Sequence, residues 1–243
     1  MIFSINLIIL IDYNFSMSIH VDNVLERIHS VLSRENRKVD EVTVVAVTKG
    51  VRPELIRQAS DSGLKHFGEN RVQEAMSKIR LLPNDLTWHM VGHLQRNKAK
   101  TALNIFDLIQ SLDSKRLALE ISKHASSIGK VARVLIQVNT TSERSKFGVM
   151  PERLAELLDN VDRLESIQVV GLMTIGPFTD DASLIRRSFR TLKKLFDDIS
   201  EKSYRNVKMN YLSMGMTDDF EIALEEGANM LRIGRAFFGP RTS

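Results

Sequence analysis

Residues 42–50 read Val-Thr-Val-Val-Ala-Val-Thr-Lys-Gly, a short, β-branched and almost uninterrupted apolar run that ends in a lysine and a glycine. Such a run predicts a strand buried on both faces, as parallel strands covered by helices are. Pro53, which is tolerated in the first turn of a helix, then opens an amphipathic stretch that Gly63 closes. A strand followed at once by a helix is the repeating unit of α/β folds.

The same unit recurs along the chain. Short β-rich runs predict eight strands, at residues 42–48, 65–67, 87–91, 106–110, 132–138, 167–173, 207–212 and 230–233. Helical patterns lie in nearly every connection, and one more, at residues 21–35, precedes the first strand. An open doubly wound sheet usually carries a Gly-x-Gly-x-x-Gly turn, which this sequence lacks. We therefore expect an α/β fold, a single (β/α)8 TIM barrel with an extra N-terminal helix.

Composition narrows the classes of function. Apolar residues make up 43% of the 243 residues, which excludes global disorder. The absence of cysteine excludes disulfide frameworks, thiolate metal sites and catalytic thiols. The net charge is +4, but basic residues alternate with acidic ones instead of forming a patch, so no nucleic-acid partner is expected.

Residues 1–16 form an apolar N-terminal extension. This run is too short to span a bilayer, and no lysine or arginine precedes Arg27, as the basic region of a signal peptide would require. A second methionine, Met17, stands just before the first helical pattern. We expect residues 1–16 to lie outside the fold, as the product of an upstream start, and residues 17–243 to form a single domain. The protein is expected to be cytoplasmic, with no membrane partner.

Residues just after the predicted strands are candidates for chemistry, because active groups of such barrels cluster at the carboxyl ends of the strands. Lys49 ends the first strand, at the rim of an apolar barrel. Burial there would favour an uncharged amine, which can form a Schiff base with a carbonyl. The alternative is a lysine that extends from the strand end into solvent.

The loops after the seventh and eighth strands carry a second pattern. Ser213 and Gly215 follow the seventh strand, and Gly234 and Arg235 follow the eighth. Many barrels bind phosphate with these two loops, through backbone amides at the start of a short helix. The four residues therefore fit a phosphate site, although two ordinary glycine turns would give the same pattern.

Arg232 lies inside the apolar eighth strand. A buried guanidinium needs a partner, which can be a core acid, or an anion or aromatic nitrogen of a ligand. In a closed barrel the eighth strand neighbours the first, so Arg232 and Lys49 would face one pocket beside the phosphate loops. An amine, a phosphate site and a guanidinium together describe the binding of pyridoxal 5′-phosphate (PLP).

Several motifs occur in the order of a known family. They are Val-Val-Ala-Val-Thr-Lys-Gly (44–50), Phe-Gly-Glu-Asn-Arg-Val-Gln-Glu (67–74), Trp-His-Met-Val-Gly-His-Leu-Gln-Arg-Asn-Lys (88–98), Lys-Phe-Gly (146–148), Gly-Leu-Met-Thr-Ile (171–175), Leu-Ser-Met-Gly-Met-Thr-Asp-Asp-Phe (212–220) and Arg-Ile-Gly-Arg-Ala-Phe-Phe-Gly (232–239). With them the chain resembles the pyridoxal-phosphate homeostasis proteins (the YggS/PROSC family). Their barrel is similar to the N-terminal domain of alanine racemase.

The resemblance implies roles for individual residues. Lys49 matches the lysine that forms the Schiff base with PLP. Ser213, Gly234 and Arg235 match phosphate-binding positions, the last two through backbone amides. Arg232 matches the arginine that faces the pyridine nitrogen, and Asn70 matches a position that lines the cofactor site.

Further residues of the matching motifs are weaker candidates for the cofactor site. Gly215 belongs to the phosphate loop, and His89 and Met173 lie at strand ends. Arg235 stands where the family often has a small residue, so only its backbone is implied, and Thr217 stands where serine is usual. No metal is expected, because the spacing of His89 and His93 suits a helix and not a strand end.

The resemblance implies a PLP-binding protein of intracellular PLP homeostasis, which carries PLP on Lys49 without robust catalysis. Its implied partners are PLP and PLP-dependent apoenzymes, and a monomer is implied.

The first alternative function is a PLP-dependent amino-acid racemase, which needs an acid/base group on each face of the substrate. The chain ends after the eighth unit, so the separate domain that supplies the racemase tyrosine is expected to be absent, which leaves Tyr211 to test. The second alternative is a Schiff-base sugar-phosphate aldolase, which would use Lys49 but not Arg232.

Overall fold

The structure is a computed structural model that describes residues 20–141, 143 and 146–240. Within these residues eight parallel strands close into a barrel in chain order, which confirms the predicted (β/α)8 architecture. The strands are β1 (Thr43–Val47), β2 (His66–Glu69), β3 (Thr87–Met90), β4 (Leu108–Leu112), β5 (Ala132–Gln137), β6 (Ile167–Met173), β7 (Val207–Ser213) and β8 (Met230–Ile233). Pairing of β1 with β8, with Val45 opposite Arg232, completes the ring. The expected boundary at residue 16 lies outside the described residues.

Helices fill the connections and form the outer layer. They are α1 (20–34), α2 (Pro53–Asp61), α3 (Val72–Ile79), α4 (Ala99–Ala102), α5 (Lys115–Ser127), α6 (Leu154–Asp162), α7 (Ala182–Ser200), α8 (Phe220–Glu225) and α9 (Arg235–Phe238), with short 3-10 turns at Val39–Glu41, Arg96–Lys98 and Pro151–Arg153. A proline or a capping side chain determines where several of these helices begin. Pro53 occupies the first turn of α2, and the side chains of Ser114 and Asp181 accept backbone amides at the starts of α5 and α7. None of the helices in the described ranges is long and apolar enough to cross a membrane.

The extra helix α1 packs beside α8, as two sets of polar contacts indicate. Arg27 Nε donates to Glu221 Oε1 over 2.9 Å. The guanidinium of Arg37, just after the helix, donates to the carbonyl oxygens of Leu224 and Ala228 over 2.8 and 2.7 Å. These carbonyls lie at and beyond the end of α8, where backbone acceptors lack helical partners. The N-terminal helix is therefore attached to the last βα unit of the barrel.

Two apolar layers hold the fold. The larger one lies between the strands and the helices and includes fully buried Phe67, Phe189 and Phe220. The smaller one fills the barrel itself and consists of Val45, Leu108, Leu135, Val170, Met173 and Met230. The barrel interior is thus a packed core and not a pore, as in other barrels of this kind.

Some element bounds differ from the prediction. The fourth strand begins at Leu108 and not at residue 106, because Phe106 packs in the turn after α4, where its amide donates to Ala102 O. The first strand was predicted as a continuous buried run, but only Val45 and Ala46 of β1 are fully buried. Apolar side chains at these positions therefore predicted the strands but not their exact limits or burial.

Gly171 permits an irregularity between β6 and β7. Its φ is +152°, and a Cβ atom there would lie 1.9 Å from the carbonyl oxygen of Tyr211. The register between the two strands shifts at this point. A glycine is required because no side chain fits this approach of the two backbones.

Candidate functional site

A groove opens at the carboxyl ends of β1 and β8. It has a volume of about 320 Å³ and is lined by Lys49 and Gly50 after β1 and by Gly234 and Arg235 after β8. Lys49 is half-buried, and the wall beside it includes the apolar Phe238. The structure thus brings together three of the residues that the sequence predicted for one site.

At Gly234 the loop after β8 comes close to the end of β1. A Cβ atom at this position would lie 3.3 Å from the carbonyl oxygen of Val47, near the end of β1. The absence of a side chain lets the first turn of α9 lie against the loop that carries Lys49. Backbone amides at the start of a helix have no intrahelical acceptor. The amides of Gly234 and Arg235 are therefore suited to an anion at the edge of the groove.

The turn that carries Lys49 is held by a buried ionic cluster. The ammonium of Lys78, on α3, donates to Thr48 O (2.7 Å), Glu69 Oε1 (2.8 Å) and Glu74 Oε1 (2.6 Å). The hydroxyl of Thr48 donates to Glu69 Oε1 over 2.7 Å, and the amide of Gly50 donates to Glu74 Oε1 over 2.6 Å. Both neighbours of Lys49 are therefore anchored to β2 and α3.

This cluster contains an ionisable group in an unfavourable place. The side chain of Glu69 is fully buried, and its Oε2 atom has no hydrogen-bond partner among the described residues. Burial raises the pKa of Glu69, and the hydrogen bonds from Lys78 and Thr48 oppose that shift. Lys78 was not among the residues predicted for the site, although Glu74 and Lys78 stand at the i, i+4 spacing of a helical ion pair.

Arg232 is buried inside the barrel, on β8. Its Nη1 donates to Ser213 Oγ and its Nη2 to the carbonyl oxygen of Thr174, both over 2.6 Å. Burial lowers the pKa of Arg232 to about 10, and the charge of nearby Asp219 opposes the shift. The guanidinium therefore stays charged at neutral pH and is oriented by two neutral acceptors, while Asp219 acts on it through its charge.

Ser213 lies deeper than the sequence suggested. Its side chain is completely buried, and its hydroxyl accepts from Arg232 and donates to Gln110 Oε1 over 2.7 Å. Gln110 Nε2 is 3.0 Å from His89 Nδ1, and His89 Nε2 is 3.0 Å from His66 Nδ1. Ser213 is thus one member of a polar chain across the barrel interior and not a residue of the groove wall.

Thr217, at the end of the loop after β7, contacts the loop after β8. Its Oγ1 accepts from the amide of Ala236, in the first turn of α9, over 3.3 Å. The hydroxyl therefore lies beside the amides of Gly234 and Arg235 at the edge of the groove. In the sequence this threonine stood out only as a departure from the serine that is usual in the family. The signal that the sequence offered for this role was a hydroxyl residue at the end of the loop that contains Gly215.

The side chain of Arg235 is exposed and pairs with Asp218. Gly215 is buried with φ +92°, and its carbonyl oxygen accepts from the amide of Arg232 over 3.0 Å. Gly215 therefore shapes the loop and ties it to β8.

The remaining predicted residues lie in different surroundings. Asn70 is half-buried and directly follows Glu69 at the carboxyl end of β2, next to β1. Met173 and His89 are buried in the barrel interior. Burial lowers the pKa of His89 to about 3, and the neighbouring His66 and Arg133 act in the same direction. His89 is therefore neutral and interacts through its hydrogen bonds.

Tyr211 and His93 lie in surroundings of their own. Tyr211 is two residues before Ser213 on β7, one layer deeper in the barrel, with the Arg133 guanidinium 5.8 Å from its ring centre. His93 stacks on Phe147 with ring centres 4.0 Å apart. No group of three or more metal-ligating acids, histidines or cysteines occurs among the described residues.

Comparisons with known proteins identify the family of this chain. Residues 19–242 match the family "Alanine racemase, N-terminal domain". A pyridoxal phosphate homeostasis protein of Aquifex aeolicus is 44% identical over 222 residues, which are 91% of this chain and 96% of that protein.

Two solved structures are also similar. A protein of Bifidobacterium adolescentis is 33% identical with a TM-score of 0.90, covering 93% of this chain and 96% of that chain. PipY of Synechococcus elongatus, in a structure with PLP bound, is 34% identical with a TM-score of 0.77, covering 89% of this chain and 100% of that one. This chain therefore belongs to the alanine racemase N-terminal domain family and, within it, to the pyridoxal phosphate homeostasis proteins.

Proposed function

We propose that this protein binds PLP in the groove at the carboxyl ends of β1 and β8 and acts in PLP homeostasis. The observation that carries the proposal is the convergence of Lys49, Gly234 and Arg235 on one groove at the ends of β1 and β8, together with a buried, charged Arg232 on β8. The PLP-bound state of PipY and the name of the Aquifex aeolicus relative support it.

The donor set at the groove fits each part of PLP. PLP supplies an aldehyde that bonds covalently to a lysine amine, and a phosphate and a ring nitrogen for recognition. Lys49 offers the amine. The hydroxyl of Thr217 and the first amides of α9, at Gly234 and Arg235, offer hydrogen bonds to the phosphate. Arg232 offers its guanidinium to the ring nitrogen, and Asn70 lies at the adjacent strand end.

We infer a carrier and not an efficient enzyme. A charged guanidinium at the ring nitrogen disfavours protonation of that nitrogen, which weakens PLP as an electron sink. Racemisation also needs an acid/base group on the face opposite Lys49. Of the tyrosines in the described ranges, Tyr211 lies in the barrel interior, and Tyr204 precedes the amino end of β7. Neither lines the groove.

The proposed role includes release of PLP to PLP-dependent apoenzymes, by a cytoplasmic monomer. An open groove at the barrel mouth supports exchange, since Lys49 is only half-buried. Transfer is measured by mixing the PLP-loaded protein with an apoenzyme and following the recovery of that enzyme's activity. Transfer no faster than from free PLP at the same total concentration contradicts the carrier role.

Absorption spectroscopy tests the binding itself. PLP added to the ligand-free protein should produce a new visible band, and pyridoxal, which lacks the phosphate, should bind more weakly. Sugar phosphates should not displace PLP at equal concentration, whereas an aldolase would bind them at the same lysine. A protein that gives no band with PLP contradicts the proposal. Conversion of L-alanine to D-alanine at enzymatic rates would favour the racemase alternative.

A further inference from the structure

The polar chain in the barrel interior joins Arg232 to His66 through three other side chains, Ser213, Gln110 and His89. Its links are 2.6, 2.7, 3.0 and 3.0 Å long, in the order Arg232, Ser213, Gln110, His89, His66. Ser213, Gln110 and His89 are at most 2% exposed, and His66 is half-buried. The chain therefore runs from the proposed PLP site through the barrel to a single, partly accessible imidazole.

The direction of every hydrogen bond in this chain follows from Arg232. A guanidinium can only donate, so Ser213 Oγ accepts from it and must give its own proton to Gln110 Oε1. The amide nitrogen of Gln110 then faces His89 Nδ1, which has to accept. Neutral His89 therefore carries its proton on Nε2 and donates it to His66 Nδ1.

A second contact fixes the amide of Gln110 in the same orientation. Gln110 Nε2 also lies 3.2 Å from Met230 Sδ, a weak acceptor. Rotating the amide by half a turn would place its oxygen against the sulfur and against His89 Nδ1, and its nitrogen against Ser213. The hydroxyl of Ser213 would then lose its acceptor while it still accepts from Arg232. The observed orientation is the one that satisfies all these atoms.

Protonated His66 does not fit this arrangement. Its Nδ1 would carry a proton facing the Nε2 proton of His89, and two donors cannot pair. Relief requires His89 to change tautomer and Gln110 to rotate, which removes the acceptor of the Ser213 hydroxyl. We propose that His66, His89 and Gln110 are positioning residues for Arg232, and that protonation of His66 reverses the chain and loosens the guanidinium.

Few ionisable groups in the described ranges act on the two imidazoles. Asp107, which precedes β4, favours the charged form of His66, but burial has the larger effect and lowers its pKa below the ordinary 6.5. Arg133 of β5 disfavours charge on His89. The strand neighbours of His66 are neutral, namely Val45 of β1 and Thr87 of β3. The reversal is therefore expected below pH 6.5, and the intact chain above it.

The first test uses the ligand-free protein and does not depend on PLP binding. Histidine labelled with ¹⁵N should show His89 and His66 as Nε2–H tautomers at about pH 8, and both should change together on acidification. In Gln110→Glu, whose carboxylate can only accept, His89 should become protonated on Nδ1. A His89 that carries its proton on Nδ1 in the wild type, or is unaffected by Gln110→Glu, overturns the proposal.

The second test rests on the proposed PLP binding. The dissociation constant for PLP is measured between about pH 5 and pH 8 in the wild type, in His66→Gln and in the matched surface variant His124→Gln, which lies on α5. Loss of the hydrogen bond from Ser213 to Gln110, which orients the acceptor of Arg232, corresponds to about tenfold weaker binding at the acidic end. The wild type and His124→Gln should show this loss. His66→Gln, which cannot become charged, should not.

The outcomes of the two tests are separable. Equal pH dependence in the wild type and His66→Gln overturns the positioning role, even if PLP binds well. A wild type that binds no PLP at any pH refutes the proposed function, and the tautomers of His89 and His66 alone then decide whether the chain exists. Folding of the variants is checked by circular dichroism, and the wild-type spectra remain decisive if a variant does not fold.

Discussion

Replacing Lys78 by methionine removes the cation of the buried cluster and keeps most of the side-chain volume. In the structure the side chain of Glu69 is fully buried and that of Lys78 is 9% exposed, while Glu74 is 26% exposed and can be hydrated. Breaking a buried ion pair by removing one partner costs about 3–5 kcal/mol. We expect the low end, about 3 kcal/mol, because the hydroxyl of Thr48 still donates to Glu69.

The assay is denaturant unfolding followed by circular dichroism, together with the melting temperature. For a chain of this size about 3 kcal/mol corresponds to a decrease in Tm of about 6–12 °C. The matched control is Lys193→Met, which breaks the exposed Lys193–Asp197 pair and should change stability by less than about 0.5 kcal/mol. The double variant Lys78→Met/Glu69→Gln should recover most of the loss, because it leaves no buried charge.

The loss of stability in Lys78→Met should also depend on pH. Burial raises the pKa of Glu69 in the folded state above its unfolded value, so ionised Glu69 disfavours folding as the pH rises. Without Lys78 this pKa rises further. The difference in unfolding free energy between the wild type and Lys78→Met should therefore be larger at about pH 8 than at about pH 5. A loss under about 1 kcal/mol, or a double variant no more stable than Lys78→Met, would refute this reasoning.

Three further predictions concern other parts of the fold and site. Arg232→Leu should weaken PLP binding at least about tenfold and shift the absorption band of the bound cofactor. Thr217→Ala should weaken PLP binding about tenfold while Thr217→Ser does not, and neither should change the binding of pyridoxal, as parallel titrations would show. Gly171→Ala should lower the free energy of unfolding by about 3 kcal/mol or more in chemical unfolding, because its Cβ would meet Tyr211. Gly63→Ala, at a position with φ +98° but with open space around the Cβ, should lower it by about 1 kcal/mol.

The barrel could be predicted from the sequence because its signals are local. Each strand is a short apolar run, and several helices begin at a proline or a capping side chain such as Ser114 or Asp181. Where a local signal was ambiguous, the predicted bounds of an element differ from the observed ones. Phe106 looked like the start of a strand, but its burial comes from packing in the turn after α4.

The site was predicted in part for the same reason. Lys49 and Arg232 stand out as charges against apolar strands, and the glycine at 234 marks a close approach. The direction of a side chain at a strand end is not a local property, so Ser213 was expected at the groove although it points into the barrel. The contact between Lys78 and Thr48 joins residues 30 positions apart, and no pattern within one element predicts it.

Lys49 as the residue that holds PLP is tested most directly by covalent labelling. The protein is loaded with PLP, reduced with borohydride, digested and mapped by mass spectrometry, beside a Lys49→Ala variant treated in the same way. We expect the pyridoxyl group on Lys49 alone in the wild type, and no stoichiometric label in the variant. Stoichiometric label on another lysine, or equal label in Lys49→Ala, would contradict the account.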